Sequence, residues 1–219
     1  LDDEIQAEEE YGHFSKWDVS EVTNMRRLFA VEMTEGEDGY CFYEFTINSI
    51  DLSGWDVSKV TDMSEMFQCT DQLESISLAN WDVSSVNNMQ GMFESAECLT
   101  DIDIINWDVS NVTDMTRMFG NAMAFNIDIS NWDLSNVKNM NGMLQDAQEF
   151  NQDIGNWDVS NVTDMREMFS HAYSFNQDIG DWDVSNVTDM SEMFYNAHEF
   201  NQDLSRWCVR NIKSEPDGF

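Results

Sequence analysis

Tryptophan recurs at Trp17, Trp55, Trp81, Trp107, Trp132, Trp157, Trp182 and Trp207, and from Trp55 onward the steps are 26, 26, 25, 25, 25 and 25 residues. A fixed period in the twenties means one supersecondary unit stacked many times, each copy burying its apolar face only against its neighbours. Such a chain has no single deep core in which to house a site, so function has to be read from the repeated surface.

Aligned on tryptophan, the sequence becomes a set of columns. Two residues after each Trp stands an aliphatic residue (Val57, Val83, Leu134, Val159), and five after it another (Val60, Val86, Val137, Val162). Methionines follow at two further positions, for example Met89 and Met92 or Met165 and Met168, and these two columns hold 13 of the 15 methionines. The second methionine precedes a phenylalanine, or Leu144 in one repeat. An alanine column comes next (Ala96, Ala122, Ala147, Ala172, Ala197), and Phe125, Phe150, Phe175 and Phe200 then lead into the next copy. Methionines embedded among apolar neighbours at regular spacing read as core filling.

Apolar residues three and four apart after the tryptophan predict a short helix or 3₁₀ segment with one buried face, as at Val162–Ala172. The residues around the tryptophan, as at Asp153–Val159, read as extended, with turn-prone Asp-x-Ser beyond. The expected fold class is therefore an α/β repeat solenoid: a right-handed coil of leucine-rich-repeat type with one short strand and one short helical turn per 25 residues.

Charge narrows the partners. With 43 acidic and 10 basic side chains the chain carries a formal charge of -33 and a pI near 4.1. Phosphate-driven binding to nucleic acid or to anionic lipid would be repulsive. Divalent cations, basic proteins and uncharged glycans fit the charge. A hydrophobic content of 42% in strict register argues against disorder. No run of 18 apolar residues occurs, so no membrane-spanning helix is expected.

The stretch Phe150-Asn-Gln-Asp-Ile-Gly-Asn-Trp-Asp-Val-Ser-Asn-Val-Thr-Asp-Met-Arg-Glu-Met-Phe169, repeated almost letter for letter from Phe175, resembles the BspA-like leucine-rich repeats. These are also known as the DUF285 or mycoplasma-type lipoprotein repeat family. The resemblance covers roughly residues 17–219 and implies an extracellular or surface-displayed protein of adhesion and recognition, binding protein or glycan, without an active site. Residues 1–16 read as an acidic N-terminal cap and 17–206 as the solenoid. An insertion falls at about 31–47, where the first tryptophan step is longest, and 207–219 read as a C-terminal cap.

Acidic ladders are the candidate functional residues. Four residues before the tryptophan stand Asp103, Asp128, Asp153, Asp178 and Asp203, the candidates for a binding strip on the strand face. One residue after it stand Asp108, Asp133, Asp158 and Asp183. At a strand-like repeat of about 4.8 Å, neighbouring carboxylates in a column repel by about 0.8 kcal/mol in water. Two arrangements would offset this. In one, each Asp accepts backbone N–H groups in an Asx-type turn before Ser. In the other, calcium sits between coils on carboxylate and carbonyl oxygens. The Asn/Asp column seven after the tryptophan (Asn88, Asp114, Asp164) reads as capping. Asn111, Asn161 and Asn186 head Asn-Val-Thr sequons, which are also simply the repeat.

His13, His171 and His198 fall in unrelated columns and form no metal-ligand pattern. No nucleophile–base grouping or phosphate-cradling loop is visible, so no cofactor and no enzymatic activity are expected. Cys41, Cys69 and Cys98 are 28 and 29 residues apart, and Cys208 lies about four repeats further on. One disulfide among the first three, with Cys69 and Cys98 the candidate pair, and buried free thiols are both open readings.

Overall fold

Each repeat meets its backbone hydrogen-bonding requirement by alternating between itself and its neighbour. The computed structural model describes residues 13–31, 46–213 and 216–218. In the Trp132 repeat, the N–H groups of Met140, Gly142, Leu144 and Asp146 donate to carbonyls of Asp164, Arg166, Met168 and Ser170 in the next repeat, at 3.0, 2.8, 3.1 and 2.8 Å. The intervening N–H groups of Met143, Gln145 and Ala147 close turns onto carbonyls three residues back, at 3.1, 3.0 and 3.2 Å. Parallel bridges at Asn24, Asp62, Asn88, Asp114, Asn139, Asp164 and Asp189 carry the same register through successive repeats.

The short helix or 3₁₀ turn expected here is a chain of turns, closed by i→i−3 bonds. A helix would spend its interior N–H groups on its own carbonyls and leave none for the next repeat. Here the backbone enters the left-handed region at two places per repeat, for example Glu65 (φ 55), Arg117 (φ 51) and Glu167 (φ 57), then Ser95 (φ 58), Asn121 (φ 56) and Asp146 (φ 55). Gly91 and Gly142, both at φ 58, occupy the first of these places in their own repeats. A non-glycine residue there costs roughly 1–2 kcal/mol, offset by the inter-repeat bonds and by burial. Among the described residues the one helical element is the 3₁₀ turn Phe14–Lys16.

Extended pairing lies upstream of the tryptophan. Strands β1 (Ser49–Asp51), β2 (Ser75–Ser77) and β3 (Asp101–Ile102) form a parallel sheet in that order. Ile50 faces Ile76 and Ile76 faces Ile102, and all three are buried. The expected strand at Asp153–Val159 is not formed: that stretch holds a turn in which Trp157 N–H returns to the Ile154 carbonyl at 3.2 Å.

Ile154 O accepts a second bond, from the indole N–H of Trp182 in the following repeat, at 3.1 Å. Trp55, Trp81, Trp132, Trp157 and Trp207 make the same inter-repeat bond, so both lone pairs of one carbonyl serve consecutive tryptophans. Trp107 is the exception, its Nε1 buried without a partner. Indole rings stack from Trp55 through Trp81 and Trp107 to Trp132 with centroids 6.5, 6.3 and 6.4 Å apart. A phenylalanine stack from Phe29 through Phe67 and Phe93 to Phe119 runs alongside at 5.2–5.6 Å. The methionine columns from Met63 to Met193 are buried between them, each side chain contributing about 1.5–3 kcal/mol of transfer free energy.

The candidate disulfide Cys69–Cys98 is not formed. Cys98 is an exposed free thiol and Cys208 is also free, whereas Cys69 is disulfide-bonded. Cys69 lies at a left-handed turn residue (φ 62) whose counterpart one repeat on is Ser95, so Cys98 is three residues out of its column. Cys41, most of the 31–47 insertion and most of the N-terminal cap lie outside the described residues.

Candidate recognition surface

All three acidic columns place a carboxylate or amide oxygen over the backbone two residues ahead. Asp108, Asp133, Asp158 and Asp183 accept the N–H groups of Ser110, Ser135, Ser160 and Ser185 on Oδ1 at 3.0–3.1 Å. In the column before the tryptophan, Asp128, Asp153, Asp178 and Asp203 accept from Ser130, Gly155, Gly180 and Ser205 at 2.9–3.1 Å. Asp103 departs from this pattern and reaches the Leu78 N–H of the preceding repeat at 2.7 Å. The third column does likewise, as with Asp164 on Arg166 N–H at 3.0 Å and Asp114 on Thr116 N–H at 2.9 Å. Side-chain and backbone hydrogen bonds from the following serine hold the carboxyls of Asp51, Asp56, Asp128, Asp133 and Asp183 below the ordinary aspartate value.

The binding-strip candidates Asp103, Asp128, Asp153, Asp178 and Asp203 are exposed, and so are Asp108, Asp133, Asp158 and Asp183. Among the described residues no three His, Cys, Asp or Glu side chains converge in a way that would hold a metal ion. The sequon residues Asn111, Asn161 and Asn186 donate their Nδ2 to carbonyls of Ser84, Ser135 and Ser160 in the preceding repeat at 2.7–2.8 Å, a fourth inter-repeat ladder. Basic side chains are sparse, and Arg26, Arg27, Lys59, Arg117, Arg166 and Arg206 pair with acidic ones. Arg117 reaches Glu94 and, two repeats away, Glu167, both at 3.4 Å. It passes over Gly142, where an added Cβ would lie 3.1 Å from Arg117 Cγ.

Column analysis misses one cluster altogether. His171 and His198 occupy different columns, yet the two repeats bring them together with Tyr173 and Tyr195. The His171 ring lies edge-on to Tyr173 (centroids 6.1 Å apart, 69°) and to Tyr195 (5.4 Å, 74°), and His198 stacks on Tyr173 (5.4 Å, 7°). Ser170 Oγ and Asn196 Nδ2 stand 3.1 Å from the two nitrogens of His171. Tyr173 is 36% and Tyr195 46% exposed, whereas most Trp and Phe rings among the described residues are buried. The available signal was chemical variability: Asp71, Glu97, Met123, Gln148, Tyr173 and His198 share one column, which marks it as solvent-facing.

Although both side chains reach solvent, partial desolvation pushes the Glu97 carboxyl above its ordinary value, with Asp71 adding to it, and pushes Cys98 up with Glu97, Glu74 and Asp71 adding. Burial also raises Asp146, opposed by His171 and Arg117. Near the C-terminus a cleft of about 480 Å³ opens beside Asp189, Met190, Asn211, Ile212, Lys213 and Pro216. No helix among the described residues is long and apolar enough to cross a membrane.

A family model described as "Mycoplasma protein of unknown function, DUF285" matches residues 5–35, 39–154 and 127–219, which together span almost the whole chain. No curated protein matches it in sequence.

Proposed function

The chain belongs to the DUF285 family, and on that premise we propose that it is a non-catalytic recognition or adhesion module, displayed on a cell surface or secreted. In this reading the stacked repeats form a right-handed leucine-rich-repeat-type solenoid whose strand-side surface engages a protein or glycan. One observation carries it: Asp128, Asp153, Asp178 and Asp203 stand exposed in a single column, one charge per repeat, each held by the turn it caps. Charges pre-set by the backbone need no further ordering when a partner arrives, and they steer a basic partner into register.

The test keeps the caps and removes the charge. Asp128→Asn, Asp153→Asn and Asp178→Asn together retain an Oδ1 acceptor at each turn. Association of the full chain with a basic protein should slow at low salt, and the difference should fade as the Debye length falls to about 8 Å at 0.15 M. Equal rates for the parent and the triple variant at low salt would sink the strip.

A second reading, a calcium-dependent structural component of a surface or matrix, draws on the exposed ladder Asp108, Asp133, Asp158 and Asp183. Each of these carboxylates already spends one oxygen on a serine, which favours turn capping. Millimolar calcium should then shift the melting temperature no more than magnesium does, since both ions act by screening the charge. A calcium-specific rise would establish binding selective for the folded state.

A further inference from the structure

We propose that Tyr173, Tyr195, His171 and His198 form a docking site for lysine or arginine side chains of a basic protein partner. This deepens the recognition reading above and rests on it, but places the contact at the turn edge of the last repeats rather than on the aspartate strip.

The fold does not require these rings. In the Trp132 repeat the positions of Tyr195 and Tyr173 are held by Gln145 and Gln148, and earlier repeats carry Asp71, Glu97 and Met123 at the latter. Stacking of the repeats therefore proceeds without aromatic side chains there, and the rings leave more than a third of their area open to solvent. Their arrangement is ordered rather than incidental. His171, within hydrogen-bond reach of Ser170 and Asn196, meets both Tyr173 and Tyr195 edge to face, and His198 extends Tyr173 by parallel stacking.

Charge selects the occupant. The chain carries -33, exposed Glu199 adjoins His198 and ties its N–H to the Tyr173 carbonyl at 3.3 Å, and exposed Glu192 lies three residues before Tyr195. The negative faces of tyrosine rings, set among carboxylates, attract a cation over a ring face and repel an anion. A neutral sugar would use the ring faces and leave the carboxylates idle. Guanidinium and ammonium groups use both, and arginine also stacks flat on a tyrosine.

The experiment uses the full chain and three probes: an arginine oligopeptide, tetramethylammonium and a neutral dextran oligosaccharide. The informative variant is Tyr173→Gln with Tyr195→Gln, since glutamine already occupies both positions in the Trp132 repeat. A second variant, Tyr173→Phe with Tyr195→Phe, keeps the ring faces. We expect the oligopeptide to bind the Gln variant roughly tenfold more weakly than the parent at matched salt, and the Phe variant within about twofold. Tetramethylammonium should perturb the NMR signals of both tyrosines, and dextran should not.

Unchanged oligopeptide affinity in the Gln variant overturns the ring site. So does dextran binding that the Gln variant loses, which would make the cluster a sugar platform. Running the Asp128, Asp153 and Asp178 asparagine variant in parallel separates the two readings. Loss there with no loss in the Gln variant leaves the aspartate strip standing and removes the ring site, and the reverse pattern does the opposite.

Discussion

Between Ala96 and Trp107 the chain takes one residue more than between Ala122 and Trp132, and the two halves of the molecule differ accordingly. In the longer repeats, Leu73 or Leu99 enters an extended run that buries Ile76 or Ile102 and pairs backbone to backbone in the β1-β2-β3 sheet. In the shorter repeats a phenylalanine takes the leucine's place, and glutamine replaces the buried isoleucine in the last three. No strand precedes the tryptophan in those repeats. Side-chain amides take over. Asn126 Oδ1 accepts the Asn151 N–H at 3.0 Å and Gln152 Nε2 at 2.8 Å, and Asn151 and Asn176 repeat the device. The two solutions meet at the Trp107 repeat. There the Asp103 carboxylate, rather than a backbone carbonyl, takes the Leu78 N–H, and the Trp107 indole goes unpaired. One residue per repeat thus decides whether the segment before the tryptophan is joined to its neighbour by main chain or by side chain, while the turns after the tryptophan stay joined by main chain throughout.

The core shows the largest consequence. The shorter repeats gain a second ring stack, Phe125, Phe150, Phe175 and Phe200, with centroids 5.8–6.2 Å apart. Phe175 also lies on Phe169 at 4.0 Å. Phe175→Ala should cost about 3–5 kcal/mol, and Leu99→Ala about 2–5 kcal/mol. The two should differ in reach. Because the rings stack across repeats, hydrogen exchange should rise on both sides of Phe175. Urea titration together with exchange measurements checks this, and exchange confined to the Trp182 repeat would break the stacking account.

Much of this was legible in the sequence and part was not. Tryptophan, valine, methionine and phenylalanine columns announced a core, and Trp157, Val162, Met165 and Phe169 are all buried. The acidic column beginning Asn24 and Asp62 read as caps and accepts backbone N–H groups as caps do. What misled was spacing. Apolar residues three and four apart satisfy a chain of i→i−3 turns as well as a helix. The left-handed residues that distinguish the two are mostly Glu, Arg, Asn and Asp, with glycine only at Gly91 and Gly142. The strand was displaced for a related reason: Trp157-Asp-Val159 alternates as a strand does, but Asp-Ile-Gly-Asn-Trp before it closes a turn at the tryptophan. Tyr173 and His198 share a column and stack along the repeats, but columns do not show that His171 and Tyr195 meet them around a turn.

The side-chain ladder gives the next effect in size. Asn151→Ala removes the acceptor of the Asn176 N–H and one of the two acceptors of Gln177 Nε2, which keeps the Asn151 carbonyl, and should cost about 1–2 kcal/mol. Ser75→Ala, at the equivalent position of the longer repeats, leaves β2 paired through its backbone and should change stability by less than about 0.5 kcal/mol. Equal losses in the two variants, measured by chemical denaturation, would mean that the amide ladder adds nothing the backbone does not already supply.

Acid should produce the smallest difference between the halves, because capping aspartates occur in both. Asp18, Asp51 and Asp56 in one half and Asp128, Asp133 and Asp183 in the other are held low, first by the serine hydroxyl and then by the serine N–H. In the unfolded chain an aspartate titrates near about 3.9. A carboxyl whose folded value lies lower contributes stability that is complete above that pH and is lost as pH falls through the folded value. Glu97 and Asp146 are raised by burial and act in the opposite sense, so stability improves as pH falls through their folded values and they take up protons. The melting temperature should therefore rise modestly as pH falls from neutrality toward the ordinary carboxylate range and decline below about pH 4. Exposed caps contribute little one by one, and the decline comes from many of them failing together. Amide exchange at Ser58 and Ser185, one from each half, should lose protection over the same pH interval. If the sheet-bearing half stays protected to markedly lower pH than the amide-laddered half, backbone pairing rather than capping sets the acid limit.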